Sequence, residues 1–285
     1  MGLDMQKLLK VAVFALSALV LAGCQQGRDA YALTTTNTLI RFDTDNANNI
    51  TAESTITGLA SGETLLQIAF RPANKQLYGI TSSNFLVTVN TDTGVTTRVG
   101  STAFSSLSLT VPVIDFNPVG DYLRVINFEG ANSANNTNFR VDPTTGAQLQ
   151  TDGSGTLSFV SNDIHEGEIP RLAAIAYSNS VDDATSTTLY AIDVTTQTLE
   201  SATTAGVLTT IGAANNGFTA NAGIDIVPNN DKAYAAIADR NGSARFYQLD
   251  LGDGTTSSGD NIGSSRQIRS LAVTLDEPKR KGFNF

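Results

Sequence analysis

The stretch Ile114-Asp-Phe-Asn-Pro-Val-Gly-Asp-Tyr-Leu123 decides the fold, because it occurs twice more without gaps. The other copies are Ile68-Ala-Phe-Arg-Pro-Ala-Asn-Lys-Gln-Leu77 and Ile224-Asp-Ile-Val-Pro-Asn-Asn-Asp-Lys-Ala233. Pro72, Pro118 and Pro228 hold the same place in each copy, two residues beyond Phe70, Phe116 and Ile226. Each copy reads as a strand, a four-residue turn opened by Pro, and a second strand. Pro presets φ at the first turn position, and the Asn, Asp and Gly that follow suit the rest. A fourth copy over residues 172–177 keeps the strand but has a longer Ser/Asp-rich connection before Thr188-Leu-Tyr-Ala-Ile-Asp193.

Each second strand leads to a third that ends in an acid or amide at a turn: Asp43, Asn90, Asp142, Asp193 and Asp250. A fourth strand follows and often closes on Gly, as in Thr57-Gly58, Val99-Gly100, Ile211-Gly212 and Ile262-Gly263. Four strands in roughly 45–60 residues, repeated, are the signature of a β-propeller blade. The ends complete the count. Residues 31–58 supply second, third and fourth strands without a first, and residues 270–275 supply a first strand alone. Joined, they make one blade, and the others start near Leu66, Val113, Leu172 and Gly223. The expectation is an all-β, five-bladed propeller of four-stranded blades whose terminal strands share one blade. A sixth blade would need further strands within residues 148–170. A β-sandwich would not require repeats in phase.

The composition agrees. The chain has 285 residues, among them 36 Thr, and abundant Thr, Asn, Ser and Gly favour strands and turns over helices. It carries 18 Lys+Arg against 27 Asp+Glu, one His, one Cys and no Trp. That inventory excludes Cys₂His₂ and Cys₄ zinc sites, a disulfide framework and a thiol redox pair. A pI near 4.5 argues against broad binding to a nucleic-acid phosphate backbone.

The N-terminus stands apart from the fold. Lys7 and Lys10 precede an uncharged apolar stretch over residues 11–22, which fits a secretory signal and is short for a membrane span. It ends in Leu21-Ala22-Gly23-Cys24, which resembles the lipobox of bacterial lipoproteins. The resemblance implies cleavage before Cys24, acylation of its sulfur and new amino end, and anchorage by several acyl chains. Gln25 and Gln26 follow, and the absence of Asp there implies transfer to the outer membrane of a Gram-negative cell. The expected organisation is a signal peptide over 1–23, a tether over 24–29, the propeller over 30–277 and a charged tail over 278–285.

From about residue 30 to 275 the chain resembles a bacterial family called domain of unknown function 4394. The resemblance rests on Ala32-Leu-Thr-Thr-Thr-Asn-Thr-Leu-Ile40, Gly58-Leu-Ala-Ser-Gly-Glu63, residues 68–79, and Phe116-Asn-Pro118 with Leu123-Arg-Val125. It continues through Asn138-Phe-Arg140 with Pro143-Thr-Thr-Gly-Ala147 and Ala176-Tyr-Ser-Asn-Ser180 with Thr187-Thr-Leu-Tyr190. It implies a repeated β-architecture in secreted or envelope proteins and brings no activity or catalytic residues. The Asn-rich loop over residues 128–137 departs from shorter relatives.

Catalytic signals are sparse. Ser-His-Asp and Cys-His chemistry need a His to take the proton, and His165 is the only one. With Asp163, Glu166 and Glu168 it offers metal ligands, or a solvated acidic loop. Calcium has two candidate turns. Asp43-Thr-Asp45 opens like an EF-hand loop but lacks the Gly and Glu that complete one, and Asp253 with Asp260 forms the other. The most pointed feature is electrostatic. A four-residue hairpin loop places Asp115 opposite Arg124, and Asp225 takes the place of Asp115 in its own blade opposite Tyr234, where Ala69, Ala176 and Ala272 stand elsewhere. Arg140 on the next strand joins this group. Asp115, Arg124, Arg140 and Asp225 are therefore read either as a buried ion pair fixing strand register or as a channel-mouth site for a polar ligand.

Two functions follow. The first is a lipid-anchored envelope propeller that binds or scaffolds a polar ligand, glycan or protein, with no cofactor and as a monomer. The alternative is a lactonase- or glycan-lyase-like propeller enzyme using a carboxylate-bound divalent metal.

Overall fold

The computed structural model of the chain describes residues 27–104, 109, 112–128, 137–151, 156–214, 217–229, 231–239, 241–264 and 266–276. Among them every regular element is a strand. Blade 1 is made of β1 (Asp29–Thr34), β2 (Thr38–Asp43) and β3 (Asn46–Thr55), joined by the last strand, β21 (Ile268–Val273). Blade 2 holds β4 (Leu65–Phe70), β5 (Leu77–Thr81), β6 (Leu86–Val89) and β7 (Thr96–Val99). Blade 3 holds β8 (Pro112–Asn117), β9 (Tyr122–Asn127), β10 (Thr137–Val141) and β11 (Gln148–Thr151). Blade 4 holds β13 (Leu172–Tyr177), β14 (Leu189–Asp193), β15 (Thr198–Ala202) and β16 (Val207–Ala213), with the short β12 (Ser158–Phe159) added in parallel outside β16. Blade 5 holds β17 (Ala222–Ile226), β18 (Ala233–Ala238), β19 (Ala244–Leu249) and β20 (Asp260–Asn261).

The five first strands β21, β4, β8, β13 and β17 pack side by side in a closed ring, each against the next. The fold is a five-bladed β-propeller. Residues 148–170 contain strands, but β11 and β12 extend blades 3 and 4 and build no sixth blade. The repeated hairpins pair as their turns require, with Phe70 opposite Leu77, Phe116 opposite Leu123 and Ile226 opposite Ala233. The last residue of each four-residue loop takes positive φ: Lys75 at 56°, Asp121 at 45° and Asp231 at 47°.

Apolar side chains from facing sheets form five clusters, one at each junction between neighbouring blades. Edge-to-face aromatic pairs occur within three of them, Tyr31–Phe70, Phe42–Phe246 and Tyr78–Phe116. A second contact clasps the rim. The third-to-fourth turns of blades 2, 3 and 5 close on Gly94, Gly146 and Gly254, whose N–H groups donate to Asn90, Asp142 and Asp250 carbonyls. The chain leaving the preceding blade's fourth strand lies on those turns. Thr57 N–H donates to the Gly94 carbonyl, and Gly100 and Gly212 abut the Thr145 and Asp253 carbonyls.

The termini meet. Arg28 is buried, its N–H donates to Thr44 Oγ1 at 2.9 Å, and its guanidinium donates to the Thr274 and Asp276 carbonyls. The fold thus takes up the chain by Gly27, so Arg28 and Asp29 belong to the propeller and not to the tether expected over 24–29. Cys24, the expected signal segment and the charged tail lie outside the described residues. So does most of the Asn-rich loop.

Candidate functional site

Sheets radiating from an axis leave the free edge of each first strand facing the channel, where its N–H groups need partners. At three junctions a side chain of one first strand supplies them to the next. Asp115 Oδ2 on β8 accepts the Tyr177 N–H of β13 at 2.6 Å. Asp225 Oδ2 on β17 accepts the Val273 N–H of β21 at 2.6 Å, while Oδ1 accepts its own neighbour Ile226 N–H at 2.8 Å. Ser270 Oγ on β21 accepts the Ile68 N–H of β4 at 3.1 Å and donates to the Ile68 carbonyl at 3.3 Å. Burial, and then the nearby Asp225 carboxylate, push Asp115 well above the ordinary carboxylate range. Burial pushes Asp225 up to about 7.

Asp115 and Arg124 lie directly opposite in register, as do Asp225 and Tyr234. What joins the first two is Tyr177. Its N–H serves Asp115, and its hydroxyl accepts the Arg124 Nε–H at 2.5 Å. Arg124 is fully buried, and its guanidinium also donates to Asn138 Oδ1 at 2.5 Å, the Tyr122 hydroxyl at 3.2 Å and the Thr204 carbonyl at 3.3 Å. The upward displacement of Asp115 is opposite to what close pairing with a guanidinium produces. Arg140 sits opposite Arg124 on β10, and both guanidinium groups stack toward the Tyr122 ring, at 4.9 and 5.6 Å from its centre. These residues tie blade 3 to blade 4.

The remaining candidates serve turns. His165 Nδ1 lies 3.0 Å from Glu168 Oε1, and its ring packs on Phe159, while Asp163 accepts the Thr210 N–H and hydroxyl. Asp43 Oδ1 accepts the Asp45 N–H, and Asp253 Oδ1 accepts the Thr255 N–H and hydroxyl. Among the described residues no three His, Cys, Asp or Glu side chains group as metal ligands. Glu200, buried in blade 4, is pushed up to about 9 by burial. Its Oε1 accepts the Thr198 hydroxyl, and no partner within the described residues reaches Oε2.

The open space lies elsewhere. A groove of about 830 Å³ runs between blades 1 and 2, on the face where the chain enters at Gly27 and leaves at Asp276. Tyr31 and Phe70 stand at its base with ring centres 5.7 Å apart. Arg41 rises from blade 1, its positive charge favoured first by a hydrogen bond to Tyr31. Lys75, in the blade 2 hairpin, pairs with Asp276 at 2.7 Å. Asn90, Thr91, Thr93 and Thr97 offer hydroxyl and amide groups from the opposite wall. Sequence reasoning missed this groove because its walls come from strands far apart in the chain. The signal available was that residues 31–43 and 68–77 fall in adjoining blades, which places Tyr31 beside Phe70.

The model of a family described as domain of unknown function (DUF4394) matches residues 38–272. No curated protein matches the sequence. Three solved structures illustrate the structural likeness. A protein of unknown function from Bacteroides caccae is 10% identical over 88% of this chain and 100% of its own, with a TM-score of 0.45. A chain of the nidogen/laminin complex is 12% identical over 87% of this chain and 99% of its own, at 0.49. A protein from Lactobacillus plantarum is 19% identical over 85% and 70%, at 0.40.

Proposed function

The chain belongs to the DUF4394 family, whose description carries no activity, and on that premise we propose that it is a lipid-anchored binding module of the cell envelope. Its ligand is polar and hydroxyl-rich, a short glycan, and its site is the groove between blades 1 and 2. The observation that carries this reading is the groove itself. At about 830 Å³ it falls within the size range of small-ligand sites, and Thr, Asn, Arg and Lys side chains line it above the buried Tyr31 and Phe70 rings. Such a lining of hydroxyl, amide and cationic groups matches the hydroxyls at the rim of a sugar. The Asp115–Arg124 group does not supply an alternative, since the Asp115 carboxylate takes the Tyr177 N–H and the Arg124 guanidinium is taken up by Tyr177, Asn138, Tyr122 and Thr204 within the fold. Lipidation at Cys24, and Gln25 and Gln26 after it, support placement at the outer membrane of a Gram-negative cell.

The test is calorimetric titration of short neutral and acidic oligosaccharides into the wild type and Thr93→Trp. Thr93 is exposed at the groove wall, so the larger ring blocks the space without disturbing the core. The expected result is at least a tenfold loss of affinity with an unchanged melting temperature. Binding that survives Thr93→Trp would refute the groove as the site, and no binding by any oligosaccharide would refute the ligand class.

A further inference from the structure

Resting on the anchor reading above, we infer that the propeller docks on the bilayer through the rim of blades 1 and 2, tilted so that blade 4, opposite them in the ring, stands farthest from the lipid.

Only Gln25 and Gln26 separate Cys24 from Gly27, where the fold takes up the chain. Three extended steps of about 3.3–3.6 Å reach only about 10 Å. An acylated Cys24 therefore holds Gly27 and Arg28 close to the headgroups, and leaves no length for the propeller to stand off or turn over. Strand alternation puts the first-to-second and third-to-fourth turns of every blade on the face that carries the chain ends. This lower face includes residues 43–46, 71–76, 90–95, 178–188 and 250–255, and the upper face carries residues 35–37, 82–85 and 239–243.

Charge then sets the tilt. Blade 4, opposite the blade 1–2 junction in the ring, exposes Asp182 and Asp183 on the lower face, and blade 5, on the other flank of blade 1, exposes Asp231, Asp250 and Asp253. Beside the chain ends, Arg41 and Lys75 answer Asp92 and Asp276 in ion pairs of 3.9 and 2.7 Å, with Asp45 the further exposed acid of the 43–46 turn. Lys279-Arg280-Lys281 follows shortly after Asp276 in the sequence. An anionic bilayer attracts the basic segment and repels the acidic turns within a Debye length of about 8–10 Å. The groove opens at the rim that faces the lipid, so it is presented to headgroups and glycolipids of the same membrane.

The experiment uses the full acylated chain in vesicles of phosphatidylethanolamine and phosphatidylglycerol. Cys24 is the only native cysteine, so once it is acylated a single introduced thiol takes the label. An environment-sensitive fluorophore is placed at Thr93→Cys, Ser186→Cys or Ser83→Cys, all exposed positions, and lipids with a headgroup-level quencher are added. The expected order is strong quenching at 93, weak at 186 and none at 83. A Lys279→Gln, Arg280→Gln, Lys281→Gln variant should narrow the gap between 93 and 186. Equal quenching at 93 and 186, or stronger quenching at 83, in protein that floats with the vesicles would overturn the docking geometry and leave the anchor standing. Protein that carries no acyl chain and does not float would overturn both.

Discussion

Asp225 and Asp115 show what a single carboxylate does inside a propeller. Each replaces an Ala found at the same place in three other blades, and each caps an edge N–H of the neighbouring first strand. The cost is that a charge there is desolvated. With its folded value raised to about 7, Asp225 is favoured in its neutral form. Its contribution is therefore intact below about pH 4 and lost as pH rises through about 7, on the order of 4 kcal/mol in all. Asp115 and Glu200 shift in the same direction, so the wild type should weaken steadily from mildly acid to alkaline pH. Asp225→Asn keeps an oxygen for the Val273 N–H and has no charge to bury. Urea midpoints across that range should fall less steeply for Asp225→Asn than for the wild type, and equal slopes would remove Asp225 from the account. Asp225→Leu leaves the Val273 N–H without its partner and should cost about 1–3 kcal/mol even at low pH. The register opposite Arg124 was legible in the sequence because the turn length dictates it. The use of Asp115 was not, since it depends on how closely β13 of the next blade approaches.

At the scale of the element, the two motifs noticed separately in the sequence are halves of one contact. The Gly that ends a fourth strand and the Gly that ends the next blade's third-to-fourth turn exist to let those backbones touch. Gly100 has φ of 77°, and a Cβ there would stand 2.0 Å from the Thr145 carbonyl oxygen. Gly146 has φ of 71°, and a Cβ there would stand 2.2 Å from the Val99 carbonyl oxygen. Gly62 provides the control, with φ of 79° and nothing within 4 Å of a built Cβ. Gly62→Ala should cost only the left-handed penalty, about 1–2 kcal/mol. Gly100→Ala must also part blades 2 and 3 and should cost at least about 2 kcal/mol more. Equal losses by chemical denaturation would mean the rim contact contributes nothing. Strands were the most readable elements, because Pro, Asn and Asp punctuate them at fixed offsets. The addition of β12 to blade 4 was not readable, as two residues pairing in parallel leave no periodic trace.

At the scale of the molecule, closure is the property that the repeats foretold and the structure bears out. β21 pairs with β1 over residues 268–273 and buries Ile268, Leu271 and Val273. Deleting residues 268–285 removes these three side chains, worth about 1.5–3 kcal/mol each, and opens two sheet edges. Against a typical domain stability of about 5–15 kcal/mol, that truncation should unfold or aggregate. Deleting residues 279–285 removes nothing from the described fold and should leave the melting temperature unchanged. A soluble, cooperatively melting 1–267 chain would show that the ring does not need its seam. That seam has a mechanical side. β1 is the strand nearest Cys24, yet it lies inside its sheet, gripped by five residue pairs to β2 and five to β21. A pull along the axis of β1 loads both ladders in shear, so their bonds yield together instead of unzipping one by one. With Cys24 acylated as proposed, such tension would be spread over the strand that locks the ring.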